Sequence, residues 1–553
     1  MKRRELLRSS LALPAAAAAN ALPAAAADDA EAQRRRAVQG MNVVLFVTDQ
    51  QRAIQHFPRN WARQNLPGAT RLADNGLTFT NAFCNACMCS PSRATLMTGF
   101  FPAQHGVKYT LEVDMEEPAN PQAELPGPDR MPNIGTVMAA AGYATPYKGK
   151  WHLSKPADMN TDPAKNPPCT PDEGWAPGDV NGYGFERWNP QDAGANQFIC
   201  QAGGFDGAVV ENDVRFMEAD GDAAAGEEGV LAYLRSDAAK QGPFFLVVSL
   251  VNPHDVLSYP RAFEDFGYDD SWLEGSGIDL PATVDEDLKS KPTAQRQFLA
   301  ISSGGLGPLP TNQQKQNYLN FYANLLKEAD RHLVRILDTL EDEGMLNDTL
   351  VIQTSDHGEM GMAHGGMRQK NFNFYEETLR VPLVYSNPVL YPRPVSTDAM
   401  VSHVDFLPTI ASLFGAPSSA RAKWQGRDYA RIVLNPKRAK PVQRYIVFTY
   451  DDFQAGQASG PYVPQPNHIV SIRERRYKLA RYWDPDGNEP DQWEMYDLKR
   501  DPLERRNLAA PDARRTRKQQ KRYRRLKKKL AKVERRRLRP TTTAAIEHTV
   551  AHG

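Results

Sequence analysis

Three shortages narrow the reading of this 553-residue chain before any motif is considered. No run of eighteen apolar residues occurs, which argues against an ordinary membrane-spanning helix. Cysteine is scarce, at five residues, and Cys84-x-x-Cys87-x-Cys89 has no second pair of ligands nearby to complete a zinc site. A zinc or redox cluster there is an alternative the spacing does little to support. Acidic residues nearly vanish from one segment: between Asp512 and Arg539 stand sixteen Lys and Arg against two acids. The remainder holds 51 basic and 64 acidic residues, so an acidic body carries a basic tail. Such a tail is commonly solvated, although Tyr523, Leu526, Leu530 and Val533 recur at helical spacing. Its charge also suits attraction to a polyanion or an anionic surface.

The length suits one large domain plus a smaller one. The N-terminus reads M-K-R-R-E-L-L-R, then an Ala-rich apolar run, then A-A-A-A-D-D near Ala27. That is the grammar of an export signal, and Arg3-Arg4 followed by Leu6-Leu7 resembles the twin-arginine type. The expectation is a signal over residues 1–27, a linker over 28–40, and a periplasmic or extracellular destination reached after folding. An odd number of cysteines leaves one without a partner in an oxidising compartment. With Cys89 set aside, Cys84, Cys87, Cys169 and Cys200 are free to pair in some order.

Four stretches share one pattern, an apolar β-type run ending in polar residues. N-V-V-L-F-V-T ends at Asp49-Gln50, and G-Y-A-T-P-Y-K-G-K-W-H at Lys150 and His152. P-F-F-L-V-V-S-L-V-N-P ends at His254, and T-L-V-I-Q-T-S at Asp356-His357. Near-continuous apolar runs fit strands buried on both faces of a sheet. Helical stretches alternate with them, including a long amphipathic run closed by Gly344. The pattern predicts an α/β fold: a three-layer sandwich around a large mixed, mostly parallel sheet. Ligands in open α/β sheets bind beyond the carboxyl ends of strands, so the four clusters should meet at one edge. Residues 154–201 and 255–312 read as long loops, which are commonly functional, and should overhang that edge and shape a pocket.

Asp49, Gln50, Asp356 and His357 offer two carboxylates, an amide oxygen and an imidazole. Oxygen ligands suit Ca²⁺ or Mg²⁺, and the imidazole admits Mn²⁺ or Zn²⁺. Cys89 precedes Ser90-Pro91-Ser92-Arg93 in a short segment closed by Gly99. Proline in a first turn and glycine just past the last place Cys89 near a helix N-terminus. There the free N–H groups favour negative charge, and Arg93 can reach back from one turn on.

C-S-P-S-R-A-T-L-M-T-G resembles the signature of the type I sulfatases, members of the alkaline-phosphatase-like superfamily. G-K-W-H at Gly149, S-D-H-G-E at Ser355, K-N-F-N-F-Y-E-E-T-L-R-V-P from Lys370 and W-E-M-Y-D-L near Tyr496 resemble later landmarks of that family. The resemblance runs from about Met41 to Leu508. It implies that a formylglycine-generating enzyme oxidises Cys89 to an aldehyde, whose hydrate attacks the sulfur of a sulfate ester. It implies a metal held by Asp49, Gln50, Asp356, His357 and modified Cys89, with Ca²⁺ favoured and Mg²⁺ or Mn²⁺ admissible. Asp356 is then the group that takes the proton of the attacking hydroxyl. It implies charge neutralisation by Arg93, Lys150 and Lys370, protonation of the leaving alcohol by His254 with Lys370, and regeneration of the aldehyde by His152.

By the same resemblance, residues 41–435 form a catalytic domain and 436–512 a smaller α+β subdomain with an antiparallel sheet; the tail over 513–553 lies outside the resemblance. The sequence departs from many members in carrying Gln50 for a second Asp and His357 for Asn. That pairing also occurs in relatives that hydrolyse phosphonate monoesters or phosphodiesters. Two alternatives follow: such a hydrolase on the same fold, or an unmodified body that binds sulfated glycans without turnover. No nucleic-acid partner is expected.

Overall fold

A computed structural model of the protein describes residues 24–111, 123–156, 174–194, 199–457 and 460–540. The N-terminal part of the expected signal, Cys169 and the last thirteen residues lie outside them.

Seven strands form the main sheet: β1 (Asn42–Thr48), β2 (Gly76–Phe83), β3 (Tyr147–Gly149), β4 (Phe245–Ser249), β5 (Thr349–Ser355), β6 (Leu383–Ser386) and β7 (Val395–Ser402). Their order across the sheet is β3-β4-β1-β5-β6-β2-β7. All neighbours are parallel except β6, which runs against both β5 and β2. The sheet is therefore mixed and mostly parallel. Strand β1 explains the layering. Val43, Leu45 and Val47 face one buried core, and Val44 and Phe46 face another on the opposite side. A strand apolar on both faces has to be covered on both.

A long helix, Asn312–Asp342, covers one face. The helices used below are α1 (Ala24–Val38), α2 (Cys89–Thr98), α3 (Thr293–Leu306), α4 (Asn312–Asp342) and α5 (Arg517–Arg537). In α4, Ala329, Leu333, Ile336, Leu337 and Leu340 pack into the second core. Its N-terminus is closed by a capping box between Thr311 and Gln314.

A second sheet, antiparallel, follows in the order β11-β10-β9-β8, with β8 (Tyr445–Tyr450), β9 (His468–Glu474), β10 (Tyr477–Trp483) and β11 (Gln492–Asp497). Ile446, Phe448, Ile469, Ala480 and Tyr482 on one face join the core of the main sheet. Val447, Val470, Ile472, Leu479 and Met495 on the other face pack against Leu526, Leu530 and Val533 of α5.

Three sequence expectations change. Residues 517–537 of the basic tail are an ordered helix and not a solvated chain, because the Leu526–Leu530–Val533 seam has an apolar sheet face to cover. Residues 28–40 are not a free linker: α1 runs through them, with Arg34 donating to the Leu434 carbonyl and Arg35 to that of Ser412, both at 2.9 Å. The expected loop over 255–312 contains α3, whose Ser-Ser-Gly-Gly stretch lowers helix propensity and hides it from a local reading.

The cysteines also differ from expectation. Cys84 and Cys87 do not pair but are free buried thiols, as is Cys89. Cys87 donates to the Lys370 carbonyl at 3.1 Å and Cys84 to that of Thr378 at 3.5 Å. Cys200 is disulfide-bonded.

Candidate active site

Strands β3, β4, β1 and β5 are consecutive neighbours and parallel, so their carboxyl ends lie on one edge. That adjacency carries Lys150, His152, His254, Asp49, Gln50, Asp356 and His357 to one place. Helix α2 is wholly buried beside them and begins at Cys89. Its C-terminus closes on Gly99 in the left-handed conformation, with φ of 72°.

The carboxylates are held by Arg93, one turn into α2. Its Nε donates to Asp356 Oδ2 at 3.0 Å and its Nη2 to Asp49 Oδ2 at 3.2 Å. The Lys150 ammonium lies 2.6 Å from Asp49 Oδ2 and also donates to the Gly194 carbonyl at 2.6 Å. Asp356 Oδ1 accepts from the backbone N–H of Gln50 at 3.0 Å and of His357 at 2.8 Å. Burial alone would raise Asp49, yet Lys150, His254 and Arg93 hold its pKa well below the carboxylate range. Asp356 is pushed up to about 7 by burial and by the Asp49 charge, with Arg93 opposing.

Cys89 Sγ stands 3.6 Å from Asp49 Oδ1 and 3.4 Å from His357 Nε2. Burial, with Asp49 beside it, pushes this thiol up to about 12, so an unmodified Cys89 is not a thiolate at neutral pH. The helix N-terminus does not outweigh desolvation here.

His357 Nδ1 lies 3.1 Å from the Gly358 carbonyl, which can only accept. The proton therefore sits on Nδ1, and the Nε2 lone pair points inward, 3.6 Å from Asp49 Oδ1 and 3.7 Å from Asp356 Oδ1. One ligand atom from each of Asp49, Cys89, Asp356 and His357 lies within 4.8 Å of all the others. Two carboxylates, an imidazole lone pair and the Cys89 sulfur thus converge on one point. That donor set fits a cation.

Gln50 adjoins the group through its backbone N–H on Asp356 Oδ1. Its Nε2 donates to Glu359 Oε2 at 2.6 Å, and its Oε1 accepts from Lys370 Nζ at 2.8 Å. Gln50, Met88 and His152 all have positive φ, at 67°, 85° and 56°. Non-glycine residues in that region cost about 1–3 kcal/mol each, and here they cluster at the site.

Cys89, His152, His254 and Lys370 line one cavity of about 710 Å³. Its walls are residues 300–302 and 304–306 of α3, with Ala455, Gly456, Gln457, Gly460 and Pro461 of the smaller sheet's unit. His152 Nε2 meets the Leu111 carbonyl at 2.5 Å, and among the described residues its buried Nδ1 has no partner. Burial, with Lys150 and Arg93 nearby, keeps His152 well below the usual histidine range, so it is a neutral base. Burial also lowers His254, with Asp49 opposing and Lys150, Lys370 and His357 reinforcing the shift.

The structure thus brings together all ten residues singled out from the sequence. Two supporting carboxylates escaped that reading. Glu359 lies within the S-D-H-G-E stretch but carried no role. Asp192 accepts from the backbone N–H of Trp151 at 2.7 Å and of His152 at 2.6 Å, and no local pattern marks it. His364 lies off the cavity, stacked on Tyr375 at 3.6 Å with its Nδ1 on Glu286.

Residues 41–416 match the family model described as sulfatase, and residues 364–536 match that of the N-sulphoglucosamine sulphohydrolase C-terminal region. The Delta 4,5-hexuronate-2-O-sulfatase of Bacteroides thetaiotaomicron is 26% identical over 444 residues, covering 79% of this chain and 78% of that protein. The solved structure of a 2-O GAG sulfatase superposes with a TM-score of 0.64 at 22% identity, covering 90% of this chain and 92% of that one. A phosphonate monoester hydrolase from Silicibacter pomeroyi shares the fold, with a TM-score of 0.60 at 20% identity over 90% and 96% of the two chains.

Proposed function

Starting from the chain's membership of the sulfatase family, hence a sulfatase acting on sulfate esters, we propose that it cleaves an aryl or carbohydrate sulfate monoester through a formylglycine made from Cys89. The observation that carries this reading is the position of Cys89. It opens a buried helix at the floor of the cavity, 3.4 Å from His357 Nε2 and 3.6 Å from Asp49 Oδ1.

As an aldehyde hydrate, residue 89 supplies a hydroxyl nucleophile for the sulfate sulfur, which the bare thiol at this position does not. Asp49, Gln50, Asp356 and His357 would hold a divalent cation, Ca²⁺ best matching the oxygen-rich set and Mg²⁺ or Mn²⁺ also fitting it. Such a cation supplies Lewis-acid polarisation of a sulfuryl oxygen and lowers the pKa of a bound hydroxyl.

The chain's own groups do the rest. Arg93 keeps both carboxylates aligned through its bonds to Asp49 and Asp356. Lys150 and Lys370 neutralise charge on the sulfuryl oxygens, a preorganised role that needs their buried positions. His254 and Lys370, both lining the cavity, give a proton to the departing alcohol. An anionic sulfate beside them favours the protonated imidazole and offsets the effect of the two lysines. Asp356 takes the proton of the attacking hydroxyl. His152 then accepts a proton at its unpartnered Nδ1 when sulfate leaves.

All ten residues of α2 are buried, so a formylglycine-generating enzyme has to reach Cys89 before the segment folds. Modification and folding ahead of export agree with the twin-arginine-like N-terminus, and we assign the protein to the periplasm or beyond. No helix among the described residues is long and apolar enough to cross a membrane.

The test is the peptide mass across Cys89 in purified protein, together with turnover of an aryl sulfate. Conversion of thiol to aldehyde removes about 18 Da from a residue that covalent catalysis requires. A shifted peptide whose fraction tracks activity supports the reading. A persistent thiol in a host that modifies such sites, with no turnover, rejects it in favour of a binding protein. The Gln50 and His357 pairing favours a second reading, hydrolysis of phosphonate monoesters or phosphodiesters. The ratio of kcat/KM for a sulfate and a phosphonate monoester with one leaving group decides between them.

A further inference from the structure

Helix α5 contains thirteen Lys and Arg residues and one acid, Glu534, in 21 positions. Its apolar seam is spent on the outer face of the antiparallel sheet, so its charge is turned to solvent. Arg517, Lys521, Arg524, Lys528, Lys532 and Arg535 advance by four, three, four, four and three residues and are all exposed. That spacing puts them in one row along one side of the helix, about 27 Å long at 1.5 Å per residue.

Charge elsewhere on the helix is partly answered. Glu474 takes Arg525 and Lys529, and Glu534 takes Arg481. Among the described residues, none of the six in the row forms an ion pair, although the Glu534 charge is felt at Arg535. At its N-terminal end Arg515, Arg517, Lys521 and Arg524 surround a surface cavity of about 490 Å³, large enough for an anionic group.

We infer that this face of α5 is a docking surface for a linear sulfated polysaccharide, which holds the polymer on the enzyme while one of its sulfate esters is cleaved. The inference rests on the carbohydrate-sulfate reading above. Three observations favour this partner over other polyanions. The row is straight and regularly spaced, matching a chain with repeated anionic groups. Among the described residues the exposed large apolar ones are Ile199, Val209, Val389 and Leu503, none on α5, so the helix has nothing to insert into a bilayer. Tyr523 on the helix and Trp493 beneath it are half-buried and each carries a cation over its ring, Arg515 and Lys527, which disfavours stacking of nucleobases there. Tethering the polymer raises the local concentration of its esters without a new contact at the active site.

The test compares the full-length protein with the variant K521Q/R524Q/K528Q/K532Q. Affinity is measured at 0.15 M NaCl for heparin, for vesicles containing an anionic phospholipid, and for a single-stranded oligonucleotide. Each exposed ion pair contributes modestly, and four together give an expected weakening for heparin of about tenfold or more. The thermal midpoint and kcat/KM on a small aryl sulfate stay unchanged, since all four side chains are exposed and outside the cavity. Equal heparin affinity in the two proteins overturns the inference, as does tighter binding of the wild type to vesicles or oligonucleotide than to heparin. Loss of turnover on the small ester in the wild type rejects the proposed function instead, so the two failures are distinguishable.

Discussion

Gln50 donates from Nε2 to Oε2 of Glu359 at 2.6 Å, and this bond decides which end of the amide faces Lys370 beside the cation-binding group. A carboxylate only accepts and an ammonium only donates. With Glu359 on one side and Lys370 on the other, the amide has one satisfactory orientation, with its oxygen turned to Lys370. Glu359 is itself buried and also accepts from Tyr318, Gly361 and Gln369. Substituting Glu359→Gln places a donor opposite a donor. Affinity for Ca²⁺, read by calorimetry, is expected to fall about 10- to 100-fold. Stability should fall by about 1–3 kcal/mol, read by denaturant unfolding, from the polar groups left unsatisfied. Unchanged Ca²⁺ affinity would show that the amide orientation does not matter.

Gly194 is the close neighbour of Lys150. A Cβ at this position would stand 2.5 Å from Lys150 Nζ and 2.8 Å from its Cδ, and the backbone φ of +81° also disfavours a side chain. Gly194→Ala therefore moves the ammonium away from Asp49. A misplacement of about 1 Å at a reacting group costs roughly 100-fold in rate, and that loss is expected in kcat/KM for an aryl sulfate. A thermal midpoint close to that of the wild type would assign the loss to the site.

Asp213 links pH to the strand end that presents His254. Its carboxylate accepts from the backbone N–H of Val251 at 2.7 Å and of Asn252 at 2.8 Å. Burial raises its pKa from 3.8 to about 7, with Asp255 and Glu328 adding and the two N–H groups opposing. A carboxyl raised in the folded state stabilises most below its unfolded pKa, and the contribution is lost as pH rises through the folded value. This residue thus makes the protein less stable between about pH 4 and about pH 7, by an amount of order a few kcal/mol. Asp213→Asn should flatten that part of the stability-versus-pH curve and lower kcat/KM by loosening the His254 turn. A slope identical to wild type in denaturant unfolding would rule out the assignment.

Leu530 tests whether α5 belongs to the smaller unit. It is 1% exposed and packs with Leu526 and Val533 against the outer face of the antiparallel sheet. Leu530→Ala should cost about 2–5 kcal/mol, as buried leucine truncations do. Hydrogen exchange should report it as earlier opening of strands β9 and β10, which α5 contacts. If the truncation leaves exchange in these strands unaltered, the helix is not integral to the unit.

Much of the site was legible in the sequence because buried parallel strands announce themselves. V-V-L-F-V, F-F-L-V-V and L-V-I-Q-T are apolar on both faces, and each stops where polar residues reach the sheet edge. The polar ends Asp49, Lys150, His254 and Asp356 were therefore identifiable without knowing the strand order, as was Cys89 from the Pro and Gly bracketing its helix. Other features depended on partners distant in sequence. The inward lone pair of His357, the orientation of the Gln50 amide, and Asp192 beneath His152 are set by contacts that no local window contains. The free thiols at Cys84 and Cys87 likewise follow from which carbonyls the fold puts beside them.

The sequence by itself determined the three-layer α/β class, the family, and the inventory of charged and nucleophilic groups, since periodicity and short motifs are local properties of the chain. Tertiary structure alone decided that α3 with Ala455, Gly456, Gln457, Gly460 and Pro461 walls the cavity, and that residues 517–537 of the basic tail fold as a helix against the second sheet. Both outcomes turn on which apolar faces find one another. An amphipathic segment shows that it has a face to bury, but only the assembled molecule shows what covers it, and hence which charges remain in water.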